Sequence, residues 1–266
     1  MTIKRVAVVG YGLIGGSIGL ALAQRAPEVE VVAIDAGDSL TKATGADLVI
    51  LSAPISQNIR ILETIDRSMT GEALITDTGS TKSTTVAAAE RLPARLRFVG
   101  GHPIAGGATS GRDAAGADLF QGARWILTPT TRTHAEDLTR LRAFVETLGA
   151  VPHLMDAADH DRLLAYTSHL PQLAVSALMH VAGQAVGKRG LEFAGSGLRD
   201  STRLATSPAP IWHDVVSSNR QNIDGALDAL IAALQDLKER GDGHAVERIF
   251  TDAARWKRGL DGDSRE

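Results

Sequence analysis

Val6-Ala7-Val8-Val9-Gly10-Tyr11-Gly12-Leu13-Ile14-Gly15-Gly16-Ser17 is the stretch on which the fold turns. Its first four apolar residues read as a buried strand, its glycines as a tight turn, and residues 18–24 continue as a helix. In that setting one glycine makes the turn, one lets the backbone approach a pyrophosphate, and one lets the helix pack close to the strand. The start of the helix then offers free amide donors to phosphate oxygens. About twenty positions beyond the last of these glycines a second apolar run ends in Asp35. A carboxylate there accepts hydrogen bonds from the ribose hydroxyls of NAD and repels the 2′-phosphate of NADP; a solvated aspartate at a strand end is the plainer alternative. Strand, glycines, helix and acid agree, so NAD is the expected cofactor. Its expected contacts are Gly10, Gly12, Leu13, Ile14, Gly15 and Asp35, joined by Ser52, Pro54 and Asp77 at the ends of later strands.

Outward from this turn, short apolar runs alternate with helix-like stretches. Residues 29–34, 48–51, 73–75, 96–99 and 125–127 each read as a buried strand, most of them ending at a polar or glycine-rich turn. Thr133 and Glu136 fit a T-x-x-E capping box that opens a helix reaching Leu148. Only a short polar stretch separates Asp35 from the next strand, so the second crossover helix is expected to be missing or reduced to a turn. Beyond about residue 155 the pattern becomes almost purely helical. Residues 159–186 read as one long helix, and Ile223, Leu227, Leu230, Leu234 and Leu237 form a stripe that faces a partner helix. The expected architecture is α/β: a Rossmann-type doubly wound parallel sheet over residues 1–154, then an all-α dimerisation domain over 155–266.

Bulk composition narrows the function. A net charge of −3 gives no general attraction to nucleic acid or anionic lipid. With no cysteine, disulfides, thiolate zinc sites and cysteine nucleophiles are excluded. His134, His153, His180, His213 and His244 show no metal-ligand spacing, so no metal site is expected. The start of the chain lacks the basic, apolar, small-residue order of a secretory leader, and no apolar run is long enough to span a membrane. A cytoplasmic protein is expected, with a small-molecule substrate and neither nucleic acid nor membrane as partner.

Two more glycine-rich turns follow sheet strands: Asp77-Thr78-Gly79-Ser80-Thr81-Lys82 and Gly100-Gly101-His102-Pro103-Ile104-Ala105-Gly106. Turns at the carboxyl ends of parallel strands line the ligand crevice, so Ser80 and His102 are expected to face one pocket. With these turns, the SHLPQL run at 168–173 and the run from Gly195 through Arg199, Arg203, Trp212 and Asp214 to Asn219, the chain resembles the prephenate and arogenate dehydrogenase family. The resemblance spans nearly the whole chain. It implies oxidative decarboxylation of prephenate to 4-hydroxyphenylpyruvate with hydride transfer to NAD, in tyrosine biosynthesis, by a homodimer formed through the helical domain. Arogenate or an amino-substituted prephenate is the alternative substrate.

By the same resemblance, His102 accepts a hydrogen bond from the substrate's 4-hydroxyl, and Ser80 bonds the same hydroxyl or orients His102. Ser80 can equally cap the helix after Lys82. Arg203 matches the arginine that clamps a substrate carboxylate, a task suited to a guanidinium's paired donors; Arg199 reads as a loop or interface ion pair. Trp212 matches a tryptophan that closes the pocket from a neighbouring subunit, or else it is a core or dimer aromatic. His160 matches a pocket-side histidine, while His169, nine residues on, is expected to point to another side of the helix. Gln172 stands where some relatives carry a histidine and is expected near the substrate side chain. Lys82 reads as a lysine near the turn that helps at a carboxylate, or as a solvated helix-start residue. A β-hydroxyacid-type dehydrogenase, which relies on a catalytic lysine in its helical domain, fits these motifs less well. A non-enzymatic NAD-binding sensor would have no reason to keep Ser80, His102 and Arg203 together.

Overall fold

Alternate residues of a strand face opposite sides of its sheet, and the apolar runs here use both. In the computed structural model, which describes residues 3–106, 111–239, 243–260 and 262, β1 (Arg5–Val9) leads through the glycine turn into α1 (Leu13–Arg25), β2 (Glu30–Ile34), β3 (Leu48–Leu51), α2 (Ile55–Ser68), β4 (Ala73–Asp77), α3 (Ser83–Ala89) and β5 (Leu96–Phe98). Val6, Val8, Leu48 and Ile50 pack on one side with Ile18 and Leu22 of α1. Ala7, Val9, Val49 and Leu51 pack on the other with Leu62 and Ile65 of α2. The sheet is parallel throughout, in the order β2-β1-β3-β4-β5. All four residues of β3 are wholly buried, so truncating Ile50 to alanine is expected to cost about 2–5 kcal/mol.

The connection from β2 to β3 carries only a short 3-10 turn, Leu40–Ala43, as its length predicts. It crosses β1, which places β2 and β3 on opposite sides of that strand. The strand order therefore reverses at β1, where open α/β sheets bind their ligands.

The run 96–99 does not stay in this sheet. Val99 still donates to the Ile75 carbonyl at 3.0 Å, but the chain then enters β6 (Gly100–Pro103), so His102 lies on a strand and not in a turn. β6 pairs antiparallel with β7 (Arg124–Thr128), and β7 pairs parallel with β8 (Val151–Leu154), which makes a separate three-stranded mixed sheet. The two glycines permit this crossing. A Cβ on Gly100 would sit 2.2 Å from Thr128 Oγ1, and one on Gly101 would sit 2.6 Å from the Asp77 carbonyl.

Helix α4 (Ala135–Thr147) links β7 to β8. Its cap is His134, with no side-chain hydrogen bond, and not the Thr133 of the expected capping box. The Thr133 hydroxyl instead accepts from the Thr130 amide at 2.8 Å in the preceding turn.

The helical part begins with α5 (Ala157–Leu164) and α6 (Leu170–Leu191). The single helix expected here is interrupted by a π-helical stretch, Ala165–His169, and Gly187 leaves the helical path with φ 60°. Then come α7 (Ser196–Ser201), a 3-10 turn over Arg203–Thr206, and α8 (Ala209–Ser218). Everything up to Arg220 belongs to one compact unit, and residues from Gln221 onward form a second. That second unit holds nearly all of α9 (Arg220–Glu239) and all of α10 (His244–Leu260). Of the α9 stripe, Ile223 is buried and Leu234 exposed; α10 exposes Phe250, Trp256 and Leu260. No helix among the described residues is long and apolar enough to cross a membrane.

Candidate active site

At the end of β1 the glycine turn is built as its sequence predicts. Gly10 has φ 93°, and a Cβ there would meet the Ala53 amide at 2.6 Å; a Cβ on Gly15 would meet the Gly10 carbonyl at 2.0 Å. Both positions are closed to any larger residue. Gly12 differs, because nothing lies within 4 Å of where its Cβ would be. That space opens beside the first turn of α1, whose cap carries no side-chain hydrogen bond. The first helical bond there runs from the Gly16 amide to Gly12, so the Leu13 and Ile14 amides precede the ladder.

The neighbouring helix starts are filled by carboxylates from the helical part. Asp214 of α8 accepts from the Ser56 amide and hydroxyl at 3.2 and 2.9 Å in the first turn of α2. Asp161 of α5 accepts from the Lys82 and Ser83 amides at 2.7 and 2.8 Å at the start of α3. The α1 turn, with its open glycine, is thus the one of the three left for an outside anion.

A buried ion pair fixes the strand that carries His102. Lys82 and Asp77 are both wholly buried, and Lys82 Nζ donates to Asp77 and, at 2.7 Å, to the Gly101 carbonyl. Asp77 also accepts the Gly79 and Gly101 amides at 2.9 and 3.1 Å. Burial lowers the Lys82 pKa, and the Asp77 carboxylate opposes that shift. Four hydrogen bonds from one pair clamp the end of β4, the following turn and β6 together.

From that strand His102 reaches into the helical part. Its Nδ1 lies 2.8 Å from His160 Nε2, and His160 Nδ1 lies 2.9 Å from Asp161 Oδ1. His160 and Asp161 are buried and His102 is half-buried. Burial pushes the His102 pKa well below the ordinary imidazole value, and His160, Lys82 and His169 add to the shift. His102 is therefore neutral at pH 7. For Asp161, burial alone would raise the pKa, but hydrogen bonds from His160, Ser83 and Lys82 outweigh it and keep the group ionised.

His169 closes the cluster. Asn219 donates to its Nδ1 at 3.2 Å and to the Asp161 carbonyl at 2.8 Å, and Trp212 meets it edge-on at 6.2 Å. Burial pushes the His169 pKa down to about 4, with His160 adding and Asp161 opposing. The expectation that His160 and His169 point apart is overturned by the π-helical stretch between them. One extra residue in a turn rotates the following helix by roughly 100°, which brings His169 back toward the His160 side.

Comparison with known proteins decides the family. The nucleotide-binding domain of prephenate dehydrogenase matches residues 10–154, and its dimerization domain matches residues 156–251. The chain belongs to the prephenate dehydrogenase family. The prephenate dehydrogenase of Bacillus subtilis is 32% identical over 280 residues, covering 96% of this chain and 76% of that protein. The cyclohexadienyl dehydrogenase of Zymomonas mobilis is 32% identical over 257 residues, covering 88% and 87%. The crystal structure of Aquifex aeolicus prephenate dehydrogenase in complex with hydroxyphenyl propionate and NAD+ superposes with a TM-score of 0.88 at 27% identity, covering 99% of each chain.

Against this family background, the structure sorts the residues singled out from the sequence. His102 and His160 come together, with Ser80 half-buried on the turn that the Asp77–Lys82 pair holds. Ser80 does not cap α3; Asp161 does. Asp35 is exposed at the end of β2 and accepts from the Ala36 amide at 3.1 Å. The Ser52 hydroxyl accepts from Thr78 at 3.1 Å, and Pro54 caps α2. Asp77 is no ligand contact through its side chain, because its carboxylate is sealed inside the clamp. Lys82 is neither solvated nor free for a substrate, for the same reason.

Gln172 is buried, and its amide is occupied within the chain. It donates to the Leu204 carbonyl at 2.8 Å and to Ser176 at 3.1 Å, and accepts from Ser207 at 3.0 Å. It thus braces the 3-10 turn on which Arg203 stands exposed. Trp212 packs on His169 of its own chain. The residues that sequence reasoning missed are Asp161, Asp214 and Asn219. Asp214 and Asn219 lie inside the Trp212-to-Asn219 run, so the motif was visible while their roles as cap and tie were not.

Proposed function

We propose that this protein oxidises and decarboxylates prephenate to 4-hydroxyphenylpyruvate, as an NAD-dependent dehydrogenase of tyrosine biosynthesis. The observation that carries the reading is the placement of a neutral His102 on β6 against His160 and Asp161, inside a chain of this family. The open space at Gly12, the free first-turn amides of α1 and the Asp35 carboxylate fit a dinucleotide with an unmodified ribose. When bound, NAD supplies the hydride acceptor. His102 takes a hydrogen bond and then the proton of the 4-hydroxyl, Ser80 supports that contact, and Arg203 holds a carboxylate through its paired donors. Loss of CO2 is driven by aromatisation of the ring and needs no further group from the protein.

Residues 1–154 serve as the dinucleotide domain and 155–266 as the substrate and dimerisation domain of a cytoplasmic homodimer. The apolar side chains exposed by α6 and α10, among them Val181, Phe250 and Trp256, favour a second copy of the chain as what covers them. Arogenate remains the competing substrate, because Gln172 brings no charge to distinguish a keto from an amino side chain. Turnover followed at 340 nm with prephenate, arogenate and the 4-amino analogue, each with NAD and NADP, tests the reading. Prephenate with NAD is expected to give the highest kcat/KM, and no reduction with any pair would remove it.

A further inference from the structure

A single imidazole is enough to receive a proton, yet His102 is backed by two more buried groups in line. Asp161 faces donors on both carboxylate oxygens: Lys82 amide and His160 Nδ1 on one, Ser83 amide on the other. As an ionised carboxylate it only accepts. That fixes the protons along the row. His160 carries its hydrogen on Nδ1; a neutral His160 therefore presents a bare Nε2; His102 must place its hydrogen on Nδ1 to meet it. The lone pair left over is on His102 Nε2.

We propose that Asp161 is a positioning residue that, through His160, holds His102 in the Nδ1–H tautomer, and that the row carries the substrate's proton inward. This deepens the reading of His102 as the base and rests on it. As the substrate O–H bond breaks, its proton bonds to His102 Nε2, and His102 Nδ1 passes its own proton to His160 Nε2. His102 ends neutral, and the positive charge sits on His160 against the Asp161 carboxylate. The same path in reverse returns the proton to the phenolic oxygen of the product after CO2 has left, so no proton is gained or lost. The arrangement resolves an apparent conflict at His102. Burial and the nearby Lys82 make an imidazolium unfavourable there, and one ring further in a carboxylate at 2.9 Å offsets the charge.

The test is nitrogen-15 NMR of the histidine rings in the intact protein at pH 7.5. His102 and His160 are expected in the Nδ1–H form. His169, whose Nδ1 accepts from Asn219, is expected in the Nε2–H form and serves as the internal contrast. An Nε2–H tautomer at His102 overturns the proposal. In Asp161→Leu, which has no acceptor, His160 Nδ1 and the Lys82 and Ser83 amides all lose their partner. Its kcat is expected to fall about 10²- to 10⁴-fold, with substrate KM nearly unchanged and the His102 tautomer displaced. A variant with wild-type kcat and tautomer overturns it too. Should Asp161→Leu not fold, the wild-type spectrum decides by itself. A protein inactive on every substrate would remove the functional reading while leaving the tautomers measurable.

Discussion

Around the turn after β1 the crevice meets almost nothing but backbone, whereas behind His102 it is backed almost entirely by side chains. In the first region Gly10, Gly12 and Gly15 act by what they lack, and the groups closest to them are main chain, of the turn itself and of residues 52 and 53. In the second, residues 77, 82, 102, 160, 161, 169 and 219 converge from both halves of the compact unit, and most of the polar contacts join distant parts of the chain. The difference teaches how each region can fail. A backbone cradle tolerates no added atom but carries little charge to unbalance; a buried polar row tolerates few changes of charge or tautomer.

Four measurements press on that contrast. The largest effect is expected in the row: His102→Asn should lower kcat by about 10²–10⁴-fold with NAD affinity intact, and wild-type turnover would take His102 out of the chemistry. Next, Lys82→Met leaves the Asp77 carboxylate buried without its partner, and denaturant unfolding should show a loss of about 3–5 kcal/mol. A fully stable variant would mean that the clamp does not hold β6.

Third comes acid. The unfolded chain protonates His169 near the ordinary ~6.5, while the native chain does so only at about 4. Between those values the unfolded state binds more protons, so stability falls as pH falls, by roughly 3 kcal/mol from this one group. Unfolding curves at pH 7 and 4.5 should show the loss, and His169→Gln should reduce it, while His102, lowered in the same direction, keeps its own share. Smallest is Gly12→Ala in the cradle. With open space at that Cβ, the melting temperature should hold, but NAD should bind about tenfold more weakly, near 1.4 kcal/mol. Unchanged NAD affinity would put the pyrophosphate elsewhere. Gly15→Ala, by contrast, should lower stability itself.

The same contrast explains what was legible in the sequence. The parallel sheet, the glycine turn and the reduced crossover follow from local pattern: apolar runs, turn residues and the short stretch after Asp35. His102 stood out because it lies in a compact motif, and His160 through the family resemblance alone. The clamp and the borrowed helix caps did not. Nothing near Lys82 in the chain says that Asp77 will be sealed against it, and Asp161 reads as a helix-surface acid until α3 is docked on it. Thr133 and Glu136 matched a capping box, yet the turn at Thr130 engages that threonine first. The π-helical stretch has no composition of its own, so helical periodicity assigned His169 to the wrong side.

That widened turn at Ala165–His169 also works as a gear. Because α6 continues directly from it, the angle that aims His169 inward also sets which way Leu178 and Val181 project outward. Removing a single residue there would swing the whole outer ridge of α6 by the same arc. Interior alignment and the direction of that exposed apolar ridge are therefore bound into one rotation.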